Sequence, residues 1–97
     1  METLNFDYPV SGKVPHRAQV GVVGSGDLEI LLEPSPDPQA HVRIRTSVEG
    51  FGTTWKAVLD QFFARYPAAA AIEINDFGAT PGTVALRLGQ AAEVSKS

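Results

Sequence analysis

The 97-residue sequence contains no cysteine. This absence excludes disulfide bonds, thiolate metal sites and a cysteine nucleophile, so any thiol chemistry must be supplied from outside the chain. A basic excess is also missing, since the formal net charge is -3, whereas nucleic-acid-binding proteins usually carry a basic patch. No segment approaches the roughly 20 apolar residues of a membrane span, and residues 1–10 lack the pattern of a signal peptide. We therefore expect a cytoplasmic protein that binds neither nucleic acid nor a membrane.

Patterns typical of catalytic and metal sites are scarce. His16 and His41 are the only histidines, and neither has an acidic cluster at metal-ligand spacing. We interpret both as solvated loop residues and predict no metal site. The sequence has no G-x-S-x-G nucleophile elbow, dinucleotide fingerprint or P-loop. We therefore predict no catalytic residue, and a stand-alone enzyme is the least favoured hypothesis.

The composition is that of one soluble domain. Hydrophobic residues make up 43% of the chain and charged residues 20%, close to the average for globular proteins. Proline and glycine divide the chain into segments that predict about four or five strands and two helices. We expect residues 1–97 to form a single α+β domain, with a small, mostly antiparallel sheet and both helices packed on one face.

Alternating apolar residues predict the strands. The pattern lies on both sides of the sequence GSGD at residues 24–27, which predicts a hairpin, and it returns over residues 42–48 and 72–75. Residues 33–39 carry three prolines and are expected to form an exposed connection. The alternating residues are Val20, Val22, Leu28, Ile30, Leu32, Val42, Ile44, Thr46, Val48, Ile72 and Ile74.

The clearest secondary-structure pattern of the chain begins after residue 50, where the spacing of apolar residues predicts an amphipathic helix. Its apolar stripe consists of Trp55, Val58, Leu59, Phe62, Phe63 and Tyr66. We expect Thr53 or Thr54 to cap the start of this helix, and Pro67 to end it.

The last segment fits two patterns. Thr80 before Pro81 resembles a helix N-cap with proline at the first helical position. The residues that fit a helix face are Val84, Ala85, Leu88 and Ala92. Val84, Leu86 and Leu88 also alternate like a strand, but the alanines that follow favour a helix.

Ser25 is the candidate functional residue, and the sequence around it allows two interpretations. A serine between Gly24 and Gly26 is a common turn composition, so the turn could be purely structural. The same glycines would leave its hydroxyl accessible to a modifying enzyme. Asp27, Glu29 and Glu33 follow, and we expect these acidic residues to share a solvated face of the strand. We expect Asp27 and Glu29 to meet basic groups on partner proteins.

A family resemblance favours the functional interpretation. The sequences GVVGSGDLEILLEP, TSVEGFGTTW and IEINDFGATPG resemble the acyl carrier (delta) subunit of malonate decarboxylase, and the likeness runs over nearly the whole chain. The S-x-D pattern at Ser25 and Asp27 and the D-x-G-A pattern beginning at Asp76 are more distantly similar to the citrate lyase acyl carrier subunit.

The resemblance implies a covalent cofactor. Ser25 would carry 2'-(5''-phosphoribosyl)-3'-dephospho-CoA through a phosphodiester, flanked by Gly24, Gly26 and Asp27. Its thiol would hold malonyl and acetyl thioesters during the decarboxylation of malonate to acetate and CO2. The implied partners are the catalytic decarboxylase subunits, an acyl transferase subunit that exchanges acetyl for malonyl, and a prosthetic-group transferase. The alternative is a small α+β ligand-binding or protein-interaction module with a structural GSG turn.

Overall fold

The computed structural model describes the backbone of residues 2–10, 12–13, 21–24 and 28–96, and the side chains of 2–10 and 28–94. The chain has an α+β fold, as the sequence predicts. The elements in chain order are β1 (Glu2–Pro9), β2 (Gly12–Lys13), β3 (Gly21–Gly24), β4 (Leu28–Pro34), β5 (Gln39–Thr46), α1 (Gly52–Arg65), β6 (Ala68–Asp76) and α2 (Pro81–Lys96). Within the described residues, no helix is long and apolar enough to cross a membrane.

The described strands form one mixed sheet in the order β1-β5-β6-β4-β3, and the short β2 pairs with β6 off this path. The pairs β1–β5, β3–β4 and β4–β6 are antiparallel, whereas β5–β6 and β2–β6 are parallel. The parallel β5–β6 pair arises because α1 carries the chain back to the starting end of β5 before β6 begins. The sheet is therefore mostly antiparallel, with β6 as its central strand.

Both helices pack on one face of this sheet, as predicted. Strand side chains alternate between the two faces, so every second residue of β4, β5 and β6 points towards the helices. These buried strand residues are Leu28, Ile30, Leu32, Ala40, Val42, Ile44, Ile72 and Ile74. The intervening residues of β4, β5 and β6 are exposed or half-buried, except Ala69 at the start of β6, which is buried. The core thus lies in one layer between sheet and helices.

The apolar stripe predicted for α1 is confirmed. Trp55, Leu59 and Phe63 are buried, and the helix ends at Arg65, before Pro67. The predicted threonine cap is wrong, because α1 already begins at Gly52 and has no side-chain hydrogen bond at its N-terminus. Thr53 and Thr54 therefore lie inside the first turn, where a side chain cannot fill the N-cap position.

The final segment is a helix and not a strand. The hydroxyl oxygen of Thr80 accepts a hydrogen bond from the backbone N–H of Thr83 at 3.2 Å, so the predicted N-cap is confirmed. Val84, Leu88 and Ala92 are buried, as expected, while the prediction that Ala85 shares their face is wrong, since it is exposed. Adjacent helical residues point about 100° apart, which turns Ala85 away from the core.

Two strand boundaries differ from the sequence prediction. β5 ends at Thr46, so Val48 does not share its buried side and is 39% exposed in the loop that follows. The alanines at positions 68–71 belong to β6, which makes that strand longer than the predicted residues 72–75. Ala68 and Ala69 pair with β2, and Ala70 and Ala71 pair with the end of β4, so neighbouring strands surround this part of β6.

Candidate functional site

The strands on either side of Ser25 are paired, as the hairpin prediction requires. Gly24 is the last residue of β3 and pairs with Glu29 of β4 in an antiparallel register. Ser25, Gly26 and Asp27 lie outside the described residues. The type of the GSGD turn and the accessibility of the serine hydroxyl therefore stay predictions.

The chain enters and leaves Ser25 at one identifiable end of the sheet. Leu28, the first residue of β4, pairs with Asp76, the last residue of β6, and Asp76 also pairs with Thr46, the last residue of β5. We call this edge the Asp76 end. Gly24 is separated from Asn75 by one intervening residue, Glu29, so two strand spacings of about 4.8 Å place these backbones roughly 10 Å apart.

A buried carboxylate organises the Asp76 end. Asp76 is only 3% exposed, and its Oδ2 accepts a hydrogen bond from the Thr46 hydroxyl at 2.8 Å. Its Oδ1 accepts hydrogen bonds from the backbone N–H groups of Gly78 at 3.2 Å and Ala79 at 2.8 Å. The Thr46 hydroxyl oxygen in turn accepts from the N–H of Val48 at 3.1 Å. One side chain thus joins the loop after β5 to the loop after β6.

This network explains the D-x-G-A sequence. The aspartate supplies an acceptor for the part-buried N–H groups of Gly78 and Ala79, and these two hydrogen bonds fix the course of the loop. Gly78 has a φ of 118°, a conformation that side chains with a Cβ rarely adopt. The D-x-G-A motif therefore fixes the conformation of the loop after β6. The sequence alone did not reveal that Thr46 also hydrogen-bonds to Asp76.

An apolar cavity of about 210 Å³ opens at the Asp76 end, between the two loops and the first turns of α1 and α2. Trp55, the only tryptophan of the chain, lines it together with Val58, Val84 and Ala79. No lysine, arginine or histidine is among the described lining residues. The cavity therefore favours small, uncharged, apolar groups.

Exposed aromatic side chains extend the apolar surface beside this cavity. Phe51, which lines the cavity, is 50% exposed, and Phe77, in the loop between β6 and α2, is 56% exposed. Apolar side chains exposed singly are normal, whereas a contiguous apolar patch usually marks an interaction site. No sequence pattern pointed to either residue.

His41 is not a loop residue, as the sequence analysis proposed, but lies in β5 on the open face. Its Nδ1 lies 2.6 Å from Asp7 Oδ1, and its Nε2 lies 2.9 Å from each carboxylate oxygen of Asp37. The hydrogen bond to Asp7, and then that to Asp37, raise the pKa of His41, while the bond to His41 lowers the pKa of Asp37. His16 lies outside the described residues.

The cluster around His41 has neither a metal-site nor a hydrolase geometry. Its two carboxylates bind opposite ring nitrogens, so the three groups do not converge on one point. Among the described residues, no group of three potential ligands suits a metal ion. The hydrogen-bond partners of His41 are carboxylates, so it is not paired with a nucleophilic hydroxyl.

The acidic residues of β4 are solvated, as expected. Glu29 and Glu33 are exposed, and the side-chain amide of Asn75 donates a hydrogen bond to Glu29 Oε1 at 3.1 Å. Glu29 points to the open face, since its neighbours Leu28 and Ile30 are buried. Asp27, its expected companion, lies outside the described residues.

Comparison with known proteins gives one consistent family. The family model described as malonate decarboxylase delta subunit (MdcD) matches residues 15–95. Malonate decarboxylase acyl carrier protein of Azotobacter vinelandii is 50% identical over 94 residues, 96% of this chain and 95% of that protein. The protein of the same name from Pseudomonas aeruginosa strain UCBPP-PA14 is also 50% identical, with the same coverage.

A solved structure agrees with this match. One chain in the crystal structure of a Pseudomonas malonate decarboxylase hetero-tetramer in complex with malonate superimposes with a TM-score of 0.83. It is 46% identical to this chain, and the match covers 98% of this chain and 99% of that one. Sequence and fold therefore agree over nearly the full length, and the chain belongs to the malonate decarboxylase delta subunit family of acyl carrier proteins.

Proposed function

We propose that this chain carries 2'-(5''-phosphoribosyl)-3'-dephospho-CoA on Ser25 and presents malonyl and acetyl thioesters for the decarboxylation of malonate to acetate and CO2. The observation that supports this most directly is the pairing of Gly24 with Glu29. Paired strand ends on either side of residues 25–27 fit an attachment point in the connection between them, and the chain matches acyl carrier proteins over nearly its full length. The proposed partners are the catalytic subunits, the acyl transferase subunit and the prosthetic-group transferase.

The surroundings of Ser25 fit such a group. Gly24 and Gly26 have no side chain that would block an approaching transferase. In the described sheet β3 is an outer strand, so another protein can approach from its free side. A serine hydroxyl supplies the oxygen that a phosphodiester needs.

The work of the chain in this function is positioning. When bound, the cofactor supplies a thiol, which a chain without cysteine cannot provide. The β3–β4 pair holds the attachment point at the Asp76 end, and the hydrogen bonds of Asp76 hold the neighbouring loops. Tethering raises the effective concentration of the acyl group at each partner site. The carrier itself therefore needs no general acid, general base or metal ion.

Substitution of Ser25 distinguishes this proposal from a protein-interaction module with a structural turn. Wild-type and Ser25→Ala proteins are produced together with the modifying transferase and the decarboxylase subunits, and their intact masses are measured. We expect a CoA-sized increment on the wild type alone, and loss of malonate decarboxylation in a Ser25→Ala complex that is still folded and assembled.

Ser47→Ala is the matched control, because Ser47 is exposed and follows Thr46 at the same end of the sheet. It should keep both the increment and the activity. A Ser25→Ala protein that still gains the increment, or that supports full decarboxylation, would contradict the carrier function and favour the module.

A further inference from the structure

We propose that the cavity at the Asp76 end shelters the acetyl thioester end of the arm and rejects the malonyl form. This inference rests on the proposed function, because it takes the arm to be attached to Ser25. It assigns to the cavity a ligand of defined chemistry, a small neutral acyl thioester.

The first support is placement. The backbone of Gly24, to which Ser25 is bonded, lies roughly 10 Å from that of Asn75 by two strand spacings. Asn75 precedes Asp76, and Asp76 lines the cavity. An arm made of a nucleotide and a pantetheine unit is long enough to span this distance and fold back. The attachment point and the cavity therefore share one end of one sheet.

The second support is size. Sites that bury a whole drug-sized ligand usually enclose about 300–1,000 Å³. A cavity of about 210 Å³ is too small for a nucleotide, but it suits a few heavy atoms. The reactive tip of the arm, with its acyl group and the adjoining methylenes, is of this size. The exposed rings of Phe51 and Phe77 beside the cavity would cover the next part of the arm.

The third support is charge. The described lining has no basic side chain that could pair with a malonyl carboxylate. Asp76 lies in the cavity wall, and its oxygens already accept hydrogen bonds from Thr46, Gly78 and Ala79. A second carboxylate in this small space would be desolvated and repelled, whereas a neutral acetyl group would be buried among Trp55, Val58 and other apolar side chains.

In this arrangement, the position of the arm depends on the acyl group that it carries. With malonyl bound, the arm stays in solution and is available to a decarboxylating partner. With acetyl bound, the thioester is withdrawn from water until the transferase competes for it. The same surface then favours release of the reactant form and retention of the product form.

Protection of the thioester tests the inference. Holo protein, checked by intact mass, is acetylated or malonylated on the arm's thiol, and the rate of cleavage by hydroxylamine is compared with that of free acetyl-CoA or malonyl-CoA. Burial of one extra methyl group favours a docked state roughly fourfold. A docked-to-free ratio of about four leaves about one arm in five exposed, so we expect the acetyl carrier to be cleaved about fivefold more slowly than acetyl-CoA, and the malonyl carrier at the rate of malonyl-CoA.

Trp55 gives a second, independent signal, because it is the only tryptophan and lines the cavity. Its emission should shift when the arm is acetylated, and should not shift when the arm is malonylated. The measurement needs only the isolated holo carrier, so it does not depend on decarboxylase activity.

Variants that fill the cavity complete the test. Ala79→Leu places a larger side chain in the lining, and Ala64→Leu makes the same change at an exposed position of α1. Ala79→Leu should abolish the protection and the emission shift, whereas Ala64→Leu should keep both. Val58→Phe fills the same cavity from α1 and replaces Ala79→Leu if that variant does not fold.

Three results would overturn the inference. The first is cleavage of the wild-type acetyl carrier at the rate of acetyl-CoA, and the second is a malonyl carrier protected as much as the acetyl carrier. The third is protection that persists in Ala79→Leu or Val58→Phe. Failure of the proposed function is a separate outcome, because it appears earlier, as a wild-type protein with no mass increment on Ser25.

Discussion

Removal of the Asp76 carboxylate is the sharpest test of how the Asp76 end of the sheet is held together. In Asp76→Ala, the backbone N–H groups of Gly78 and Ala79 lose their acceptor. The Thr46 hydroxyl, which has one hydrogen to donate, loses Asp76 Oδ2 as its acceptor but has the carbonyl oxygen of Val48 within 3.3 Å as a replacement. The damage is therefore concentrated on two loop N–H groups.

The expected loss follows from these contacts. A hydrogen bond to a charged group contributes about 1.5–3 kcal/mol, and a stranded buried donor costs about 1–3 kcal/mol. Gly78 is exposed and Ala79 half-buried, so water replaces part of the loss. We expect Asp76→Ala to lower the free energy of unfolding by about 2–4 kcal/mol, a large share of the ~5–15 kcal/mol of a typical domain.

Urea unfolding followed by circular dichroism measures this loss. For a small protein whose unfolding free energy falls by about 1–3 kcal/mol per molar urea, the midpoint should drop by about 0.7–4 M. Asp76→Asn keeps one acceptor oxygen and should lose only about 1 kcal/mol. Glu49→Ala, an exposed change in the loop after β5, should stay within about 0.5 kcal/mol of the wild type. If Asp76→Ala unfolds at the same urea concentration as Glu49→Ala, the carboxylate does not hold the loops and this reasoning is wrong.

Two further predictions concern the core and the open face. Phe63 is 6% exposed, so Phe63→Ala should lower the free energy of unfolding by about 3–5 kcal/mol, and the half-buried Phe62→Ala by less; equal losses in urea would contradict the assigned burial. The pKa of His41 is raised above 6.5 and that of Asp37 is lowered below 3.8, so their contact stabilises the fold most between about pH 4 and 6.5. This stabilisation is lost as pH rises through the folded pKa of His41, or falls through that of Asp37. His41→Gln should therefore flatten the change in urea midpoint between about pH 6 and 8, and an unchanged slope would refute the assignment.

The spacing of apolar residues predicted the helices and strands that have one fully buried face and one solvent-exposed face. The stripe of α1 and the alternation of β4 are visible because almost every core position is apolar. β1 was not predicted, although Leu4, Phe6 and Tyr8 alternate with polar residues and were the signal that would have identified it. These side chains are only half-buried, because β1 is an outer strand with a neighbour on one side.

The parts of the site that depend on distant residues could not be predicted. Asp7 and His41 are paired only through the β1–β5 register, and Thr46 meets Asp76 only through the β5–β6 register. Short motifs identified Ser25 and the D-x-G-A sequence, but a motif does not contain its partners from other strands. Sequence therefore indicated a candidate serine, whereas the cavity at the Asp76 end is a product of tertiary structure.

The central position of β6 has a consequence for the order of folding. The pairs β1–β5 and β3–β4 share no hydrogen-bonded edge with each other, and both pairs join through β6, the last strand of the chain. On the ribosome, the strand pairs β1–β5 and β3–β4 therefore cannot join into one sheet until residues 68–76 have been synthesised. Contacts between residues so far apart in the chain are slow to form, so we expect the sheet to be completed late in synthesis. Until then, the unpaired strand edges are exposed to aggregation and are expected to bind chaperones.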